Sequence, residues 1–321
     1  MAEGQQHLDF ERPIIELEKK ISDMRDFSVG GSVELDGEIK SMQEKLAKLR
    51  AEVYSSLTRW QRVQLSRHPR RPHSLDIIKL MATDFLELHG DRLIRDDPAL
   101  VGGFARLDGE PIMLIGQEKG RDTKDKLRRN FGMSHPEGYR KAMRLFRLAE
   151  RFGLPIVVLI DTPGAFPGIE AEERGQAWAI AENIRDMFTI EVPMISVILG
   201  EGASGGALGV GVGDRTLVLE YAWYSVISPE ACAAILWRDS AKGPEAAEAL
   251  KPTAETLLQL GVVDKIIPEP LSGAHNDPAQ AAELIKTDIM AALRELKDKP
   301  VAELLQERLQ KFRAMGEYKE L

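Results

Sequence analysis

The 321-residue chain holds a single cysteine, so a disulfide framework within it is excluded. Its six histidines are scattered, with no H-E-x-x-H spacing and no paired-cysteine motif, which argues against zinc-protease and zinc-ribbon chemistry. No G-x-x-x-x-G-K-[ST] occurs, so P-loop nucleotide chemistry is not expected. No run of about 18 apolar residues is present, and a membrane span is not expected. The opening MAEGQQHLDFERP lacks a basic region followed by an apolar stretch, and we expect a cytoplasmic location. A formal net charge of −8 argues against nucleic acid as the main partner. Cys232 lies in the apolar run SPEACAAILW, where a buried thiol is expected rather than a nucleophile.

What is present is a hydrophobic content of 43%, enough for a large core, and two apolar strands that each enter a glycine-rich turn. These are Val157 to Gly168 (VVLIDTPGAFPG) and Val197 to Ala207 (VILGEGASGGA), with one helix between them. Nearly continuous apolar strands joined by a helix read as a βαβ crossover, with both turns at the same edge of a parallel sheet. Glycine lets bare backbone approach a ligand, so each turn can aim main-chain N–H groups at an anion.

The second turn satisfies three templates. Gly200 to Gly205 fits the G-x-G-x-x-G of dinucleotide folds with Glu220 downstream, although it sits far from the first βα unit, where that fingerprint belongs. Gly202 to Gly206 fits the G-x-S-x-G nucleophile elbow, with Asp264 and His275 following Ser204 in hydrolase order. His275, however, falls in PEPLSGAHNDP, which reads as an exposed linker. The third template needs no side-chain nucleophile: the N–H groups of Gly205 and Gly206 at a helix N-terminus stabilise an oxyanion directly. A tight turn with no chemistry is the remaining alternative.

At the N-terminus, Leu35, Ile39, Met42, Leu46, Leu49 and Val53 form a heptad stripe on a helix expected to continue to about Ser66. Ile14 to Met24 supplies a second helix, with Phe27 to Ser32 as the turn. This helical hairpin (1–67) is expected to pack either on the body (68–321) or on another chain. Within the body, HPRRP reads as a linker into a helix from Leu75 to Leu88, and Asp108-Gly109 as the turn of a hairpin between strands Val101 to Leu107 and Pro111 to Glu118. Lys119 to Arg140 concentrates basic residues, including Lys119, Arg121, Arg128 and Arg129. Such density suits phosphate recognition, a solvated loop or an acidic partner. Helices are expected over Pro136 to Phe152, Ala171 to Phe188 and Pro229 to Trp237, and at Ala279 to Lys297 and Val301 to Arg313 near the C-terminus.

Long contiguous stretches carry a more specific signal. HPRRP, LHGDR, QEKGRDTKDKLRRNFGMSHPEGYRKAMRL, IDTPGAFPGIEAEERGQ and GEGASGGALGVGVGD resemble the alpha-subunit family of bacterial acetyl-CoA carboxylase carboxyltransferases, within the crotonase-like superfamily. The resemblance implies an α/β, ClpP/crotonase-like spiral of β-β-α units with the N-terminal hairpin and C-terminal helices added. It implies transfer of a carboxyl group from carboxybiotin on biotin carboxyl carrier protein to acetyl-CoA, giving malonyl-CoA for fatty-acid synthesis. The biotin ureido nitrogen would take the methyl proton, so no side-chain base is required. By the same resemblance Gly205 and Gly206 are the oxyanion donors for carboxybiotin, and a beta subunit supplies those for the thioester. The implied assembly is an α2β2 carboxyltransferase working with biotin carboxylase. No cofactor is expected to be covalently bound to this chain, and the family's zinc is expected in the beta subunit only. Gly164, Ala165, Phe166 and Gly168 are expected to wall the biotin pocket, and Lys119, Arg121, Arg128 and Arg129 to meet CoA phosphates or a partner. Another acyl-CoA enzyme of the superfamily is the runner-up.

Overall fold

A computed structural model describes residues 7–28 and 34–316. In chain order the elements are α1 (Arg12–Ser28), α2 (Glu34–Ser55), α3 (Arg59–Ser66), α4 (Ser74–Met81), β1 (Thr83–Glu87), β2 (Leu100–Leu107), β3 (Glu110–Gln117) and α5 (Thr123–Arg128). There follow α6 (Pro136–Phe152), β4 (Ile156–Thr162), α7 (Ile169–Glu173), α8 (Gln176–Met187), β5 (Met194–Ala203), α9 (Ser204–Gly211), β6 (Arg215–Leu219) and β7 (Trp223–Ser225). The chain continues through α10 (Pro229–Trp237), α11 (Gly243–Leu250), α12 (Ala254–Gln259), β8 (Lys265–Ile267), α13 (Pro278–Leu296) and α14 (Val301–Arg313).

One sheet organises the molecule, in the order β1-β2-β3-β4-β5-β6-β8, with β7 pairing the end of β5. β1, β2 and β3 are antiparallel, while β3 through β8 run parallel. The β2–β3 hairpin turns at Asp108 and Gly109, both at positive φ (47° and 86°), as a right-twisted two-residue turn requires. β4 and β5 are buried along their whole lengths, because helices cover both faces of the parallel part. The core joins this sheet to α4, α6, α8, α9 and α13.

The structure departs from the sequence expectation in three places. The helix expected over Leu75 to Leu88 stops at Met81 and becomes edge strand β1. Ala171 to Phe188 is two helices, broken at Gly175 with φ of +82°. The long N-terminal helix is also two: α2 ends at Ser55, and α3 restarts behind Thr58, whose hydroxyl accepts the Gln61 N–H in a capping box. α1 packs on α2, and the base of this pair meets the body through Ile14, Tyr54, Leu57, Leu65 and Tyr221. The expected turn at 27–32 falls largely outside the described residues. α3 packs on the sheet itself, with Val63 against Ala203 and Trp223.

Candidate active site

β4 and β5 deliver their glycine turns to the same edge of the sheet, and the turns touch. A Cβ at Gly206 would lie 2.4 Å from the Gly164 carbonyl carbon and 2.5 Å from the Ala165 nitrogen. Only glycine permits this approach. Gly164 itself sits at φ of +147°, with its N–H donating to Thr162 Oγ1. Ala203 precedes α9 without a side-chain cap, and Ser204 at the bend has φ of +56°. First-turn N–H groups of a helix have no intrahelical acceptor. Among the described residues those of Gly205 and Gly206 have no other acceptor either, so they are available to an external anion.

Beside this point Ala165, Phe166, Pro167, Gly175, Gln176, Trp178 and Ile180 line a cavity of about 570 Å³. Phe166 lies on the His135 ring at 4.2 Å, and Gly168 is glycine because a Cβ there would meet the Phe166 ring at 2.3 Å. Gln176 secures the turn, its amide donating to Ser134 O and Phe166 O. On the other side of α9, Ser204, Leu208, Tyr224, Val226 and Leu257 contribute to an apolar cleft of about 300 Å³. A further cavity of about 340 Å³, near Pro111, Pro155 and Pro193, opens at the opposite ends of the strands, away from both turns.

Beneath the turns is a buried ionic cluster. Lys119 Nζ lies 2.7 Å from Asp161 Oδ1 and 2.8 Å from Glu201 Oε1; Arg67 Nε bonds Glu201 Oε2 at 2.6 Å, and His73 Nδ1 lies 3.1 Å from Asp161. Asp161 Oδ1 also accepts the Glu201 N–H at 3.0 Å, tying the end of β4 to that of β5. Burial pushes the Asp161 carboxyl up, but Lys119 and His73 outweigh it and hold it well below the usual carboxylate range. Glu201 is lowered likewise against its burial by Lys119 and Arg67.

A family model described as acetyl co-enzyme A carboxylase carboxyltransferase-like matches residues 7–316. An acetyl-coenzyme A carboxylase carboxyl transferase subunit alpha from Thermus thermophilus is 56% identical, the match covering 98% of this chain and 99% of that protein. Its counterpart from Syntrophotalea carbinolica is 58% identical over 96% of this chain and 98% of its own. The chain belongs to this carboxyltransferase alpha-subunit family. Solved structures agree on the fold. Transcarboxylase 12S superposes with a TM-score of 0.56 at 21% identity, over 70% of this chain and 41% of that one. A Pseudomonas malonate decarboxylase hetero-tetramer gives 0.55 at 19% identity, over 66% and 85%.

The other templates for the second turn fail on geometry. Ser204 occupies an elbow-like bend, yet Asp264 accepts the Thr216 N–H and pairs with Lys311, while His275 lies in a separate cluster. His275 is not in an exposed linker. It is buried and stacked on His68 at 3.9 Å, with Nε2 3.4 Å from Glu11 and 3.0 Å from Asn276 Nδ2. Glu220 accepts the Glu269 N–H, and Gly200 packs inward, where a Cβ would lie 2.8 Å from Asp161 Oδ1 and 3.0 Å from the Ser66 carbonyl oxygen. Cys232 is buried, as expected.

The basic stretch is only in part the cationic surface its composition suggests. Lys119 lies inside the ionic cluster, and Arg129 is buried, bonding Asp125 and Pro98 O. Arg121 pairs with Asp76 and donates to Arg71 O, and Arg128 pairs with Asp125, both keeping exposed side chains. Residues missed in the sequence include Arg71 of HPRRP, which donates twice to Leu199 O and pairs with Glu269, fixing β5 just ahead of the second turn. The proline-rich composition suggested a linker and concealed that buried role.

Proposed function

We propose that this chain forms the carboxybiotin side of a two-chain active site. The chain is a carboxyltransferase alpha subunit of acetyl-CoA carboxylase, and the observation that carries the site assignment is the pair of glycine turns in contact, with the Gly205 and Gly206 N–H groups unpaired at the head of α9. The reaction breaks the bond between the carboxyl carbon and the ureido nitrogen of carboxybiotin and forms a carbon–carbon bond at the acetyl-CoA methyl. The methyl proton passes to the ureido nitrogen, giving malonyl-CoA. Carboxybiotin, presented on biotin carboxyl carrier protein and renewed by biotin carboxylase, supplies the carboxyl group. This chain's part is to receive the negative charge that builds on the ureido oxygen, where one preorganised donor contributes roughly 3 kcal/mol. Of the residues expected to wall the biotin pocket, Ala165 and Phe166 line the 570 Å³ cavity, to which the bicyclic ring is assigned. Gly164 and Gly168 lie outside its lining and shape the turn that carries the other two.

A beta subunit, which also carries the zinc, provides the thioester donors in an α2β2 cytoplasmic assembly. Supporting this are Trp178, exposed beside the cavity, and Val226, exposed beside the apolar cleft along α9, apolar surface suited to a partner. Of the cationic stretch, Arg121 and Arg128 suit CoA phosphate or that partner, whereas Lys119 and Arg129 are internal. Gly206→Val, which drives a side chain into the Gly164 turn, tests the assignment. We expect malonyl-CoA formation by the variant with its beta subunit to fall to background while the complex still assembles; full activity refutes the backbone-donor role.

A further inference from the structure

We infer that Gln117 is a positioning residue for carboxyl transfer, its side-chain amide holding the peptide at Gly206 so that the α9 N–H groups keep their aim. This rests on the backbone-donor role proposed for Gly205 and Gly206.

α9 (SGGALGVG) contains four glycines in eight residues. Each costs about 1 kcal/mol relative to alanine in a helix interior, and a helix this short does not persist alone. Two of them cannot simply be replaced, because Gly206 abuts the Gly164 turn and a Cβ at Gly209 would strike the Tyr139 ring at 2.8 Å. The helix is instead held from outside, by side chains on four different elements. Gln117 Nε2 donates to Gly206 O at 2.8 Å, and Tyr139 Oη at a longer 3.4 Å. Asn183 Nδ2 donates to Gly209 O at 2.8 Å, and Ser196 Oγ to Gly211 O at 3.2 Å.

Of these donors, Gln117 is the one that makes the short bond to the residue bearing a proposed oxyanion donor. It is the last residue of β3, fully buried, and its own carbonyl is fixed by Ser74 Oγ at 2.6 Å. Among the described residues its side-chain Oε1 has no partner, and the bond to Gly206 is the amide's one side-chain hydrogen bond there. An apolar residue of the same length would avoid the cost of burying that orphan oxygen. What the amide adds is a fixed direction for the turn, and preorganised direction is what an oxyanion site requires.

The test uses the complete complex with the beta subunit. Gln117→Met keeps the side-chain length and removes the donor; we expect kcat to fall on the order of tenfold or more, with KM for acetyl-CoA and complex yield unchanged. Gln117→Glu keeps the shape. Ionised, its oxygens face the Gly206 carbonyl and repel it; protonated, its O–H restores the bond. The groups bonded at this spot, Tyr139 and Ser74, are uncharged, burial keeping the Tyr139 phenol protonated. The buried glutamate therefore titrates high, and activity of the variant relative to the unaltered chain is expected to recover as pH falls. Unaltered kcat in both variants overturns the role, as does a loss in both with no recovery on acidification, which would assign Gln117 to packing. If Gly206→Val is inactive while both Gln117 variants work normally, only the positioning role fails. If Gly206→Val is itself active, the backbone-donor assignment fails and takes this role with it.

Discussion

Lys119 lies between two carboxylates that come from 42 and 82 residues further along the chain. Burial by itself pushes its ammonium down, and Asp161 and Glu201 outweigh that and hold it above its ordinary value. Lys119→Met leaves both acids buried and facing each other, and a loss of about 3–5 kcal/mol is expected in urea unfolding, partly restored by adding Asp161→Asn. The count of basic residues in KGRDTKDKLRR was readable from the sequence. Their partners were not, because acids distant in sequence meet them only through the sheet. The Glu11, His68 and His275 cluster repeats the lesson. Burial, reinforced by the facing His275, pushes the His68 imidazole down to about 4, while bonds from His275, Tyr54 and the Leu8 N–H overcome burial and hold Glu11 at about 2. Between these values and their ordinary ones the unfolded chain binds more protons than the folded one. Stability associated with His68 is thus complete above about pH 6.5 and is lost as pH falls toward 4. Denaturant midpoints measured across that window should fall on acidification, and His68→Gln should flatten the slope.

At the scale of elements, the sequence located most helices and the hairpin, since apolar spacing and turn residues are local signals. The departures have local causes that lose to packing. Gly175 breaks the helix after the first glycine turn, which sets α8 at the angle that brings Gln176 and Trp178 to the cavity. The C-terminal helix α14 was readable as an amphipathic segment, but its attachment was not. Arg308 is fully buried there, bonding Asp214 through Nε and Nη2 at 2.8 Å each and the carbonyls of Met187, Ile190 and Val192 at 2.7–3.0 Å. Arg308→Met leaves buried Asp214 without its guanidinium partner and takes a donor from three carbonyls, so a loss of about 3–5 kcal/mol and earlier proteolysis of α14 are expected, while Lys299→Met should change little.

For the whole molecule, one exposed apolar side chain stands out at the site: Trp178 is 68% exposed while lining the same cavity as Phe166. A large aromatic so placed is the expected anchor of the partner interface. Trp178→Ala should weaken binding of the beta subunit by about 2 kcal/mol, roughly 30-fold in dissociation constant by titration calorimetry. A matching experiment compares this chain alone, the beta subunit alone and the two mixed, with carboxybiotin and acetyl-CoA supplied. Malonyl-CoA is expected from the mixture only. Among the described residues no helix is long and apolar enough to cross a membrane.

The sequence by itself determined the parallel βαβ unit, the two glycine turns at one edge and, through its long shared stretches, the family. Those features depend on residues close together in the chain, where apolar periodicity and glycine act directly. Tertiary structure alone decided that Gly206 touches Gly164, that Lys119 and Arg129 of the basic stretch are internal while Arg121 and Arg128 stay exposed, that His275 is buried and that Gln117 holds the head of α9. Each of these joins elements on different strands or helices, and their contacts exist only once the sheet has set their spacing.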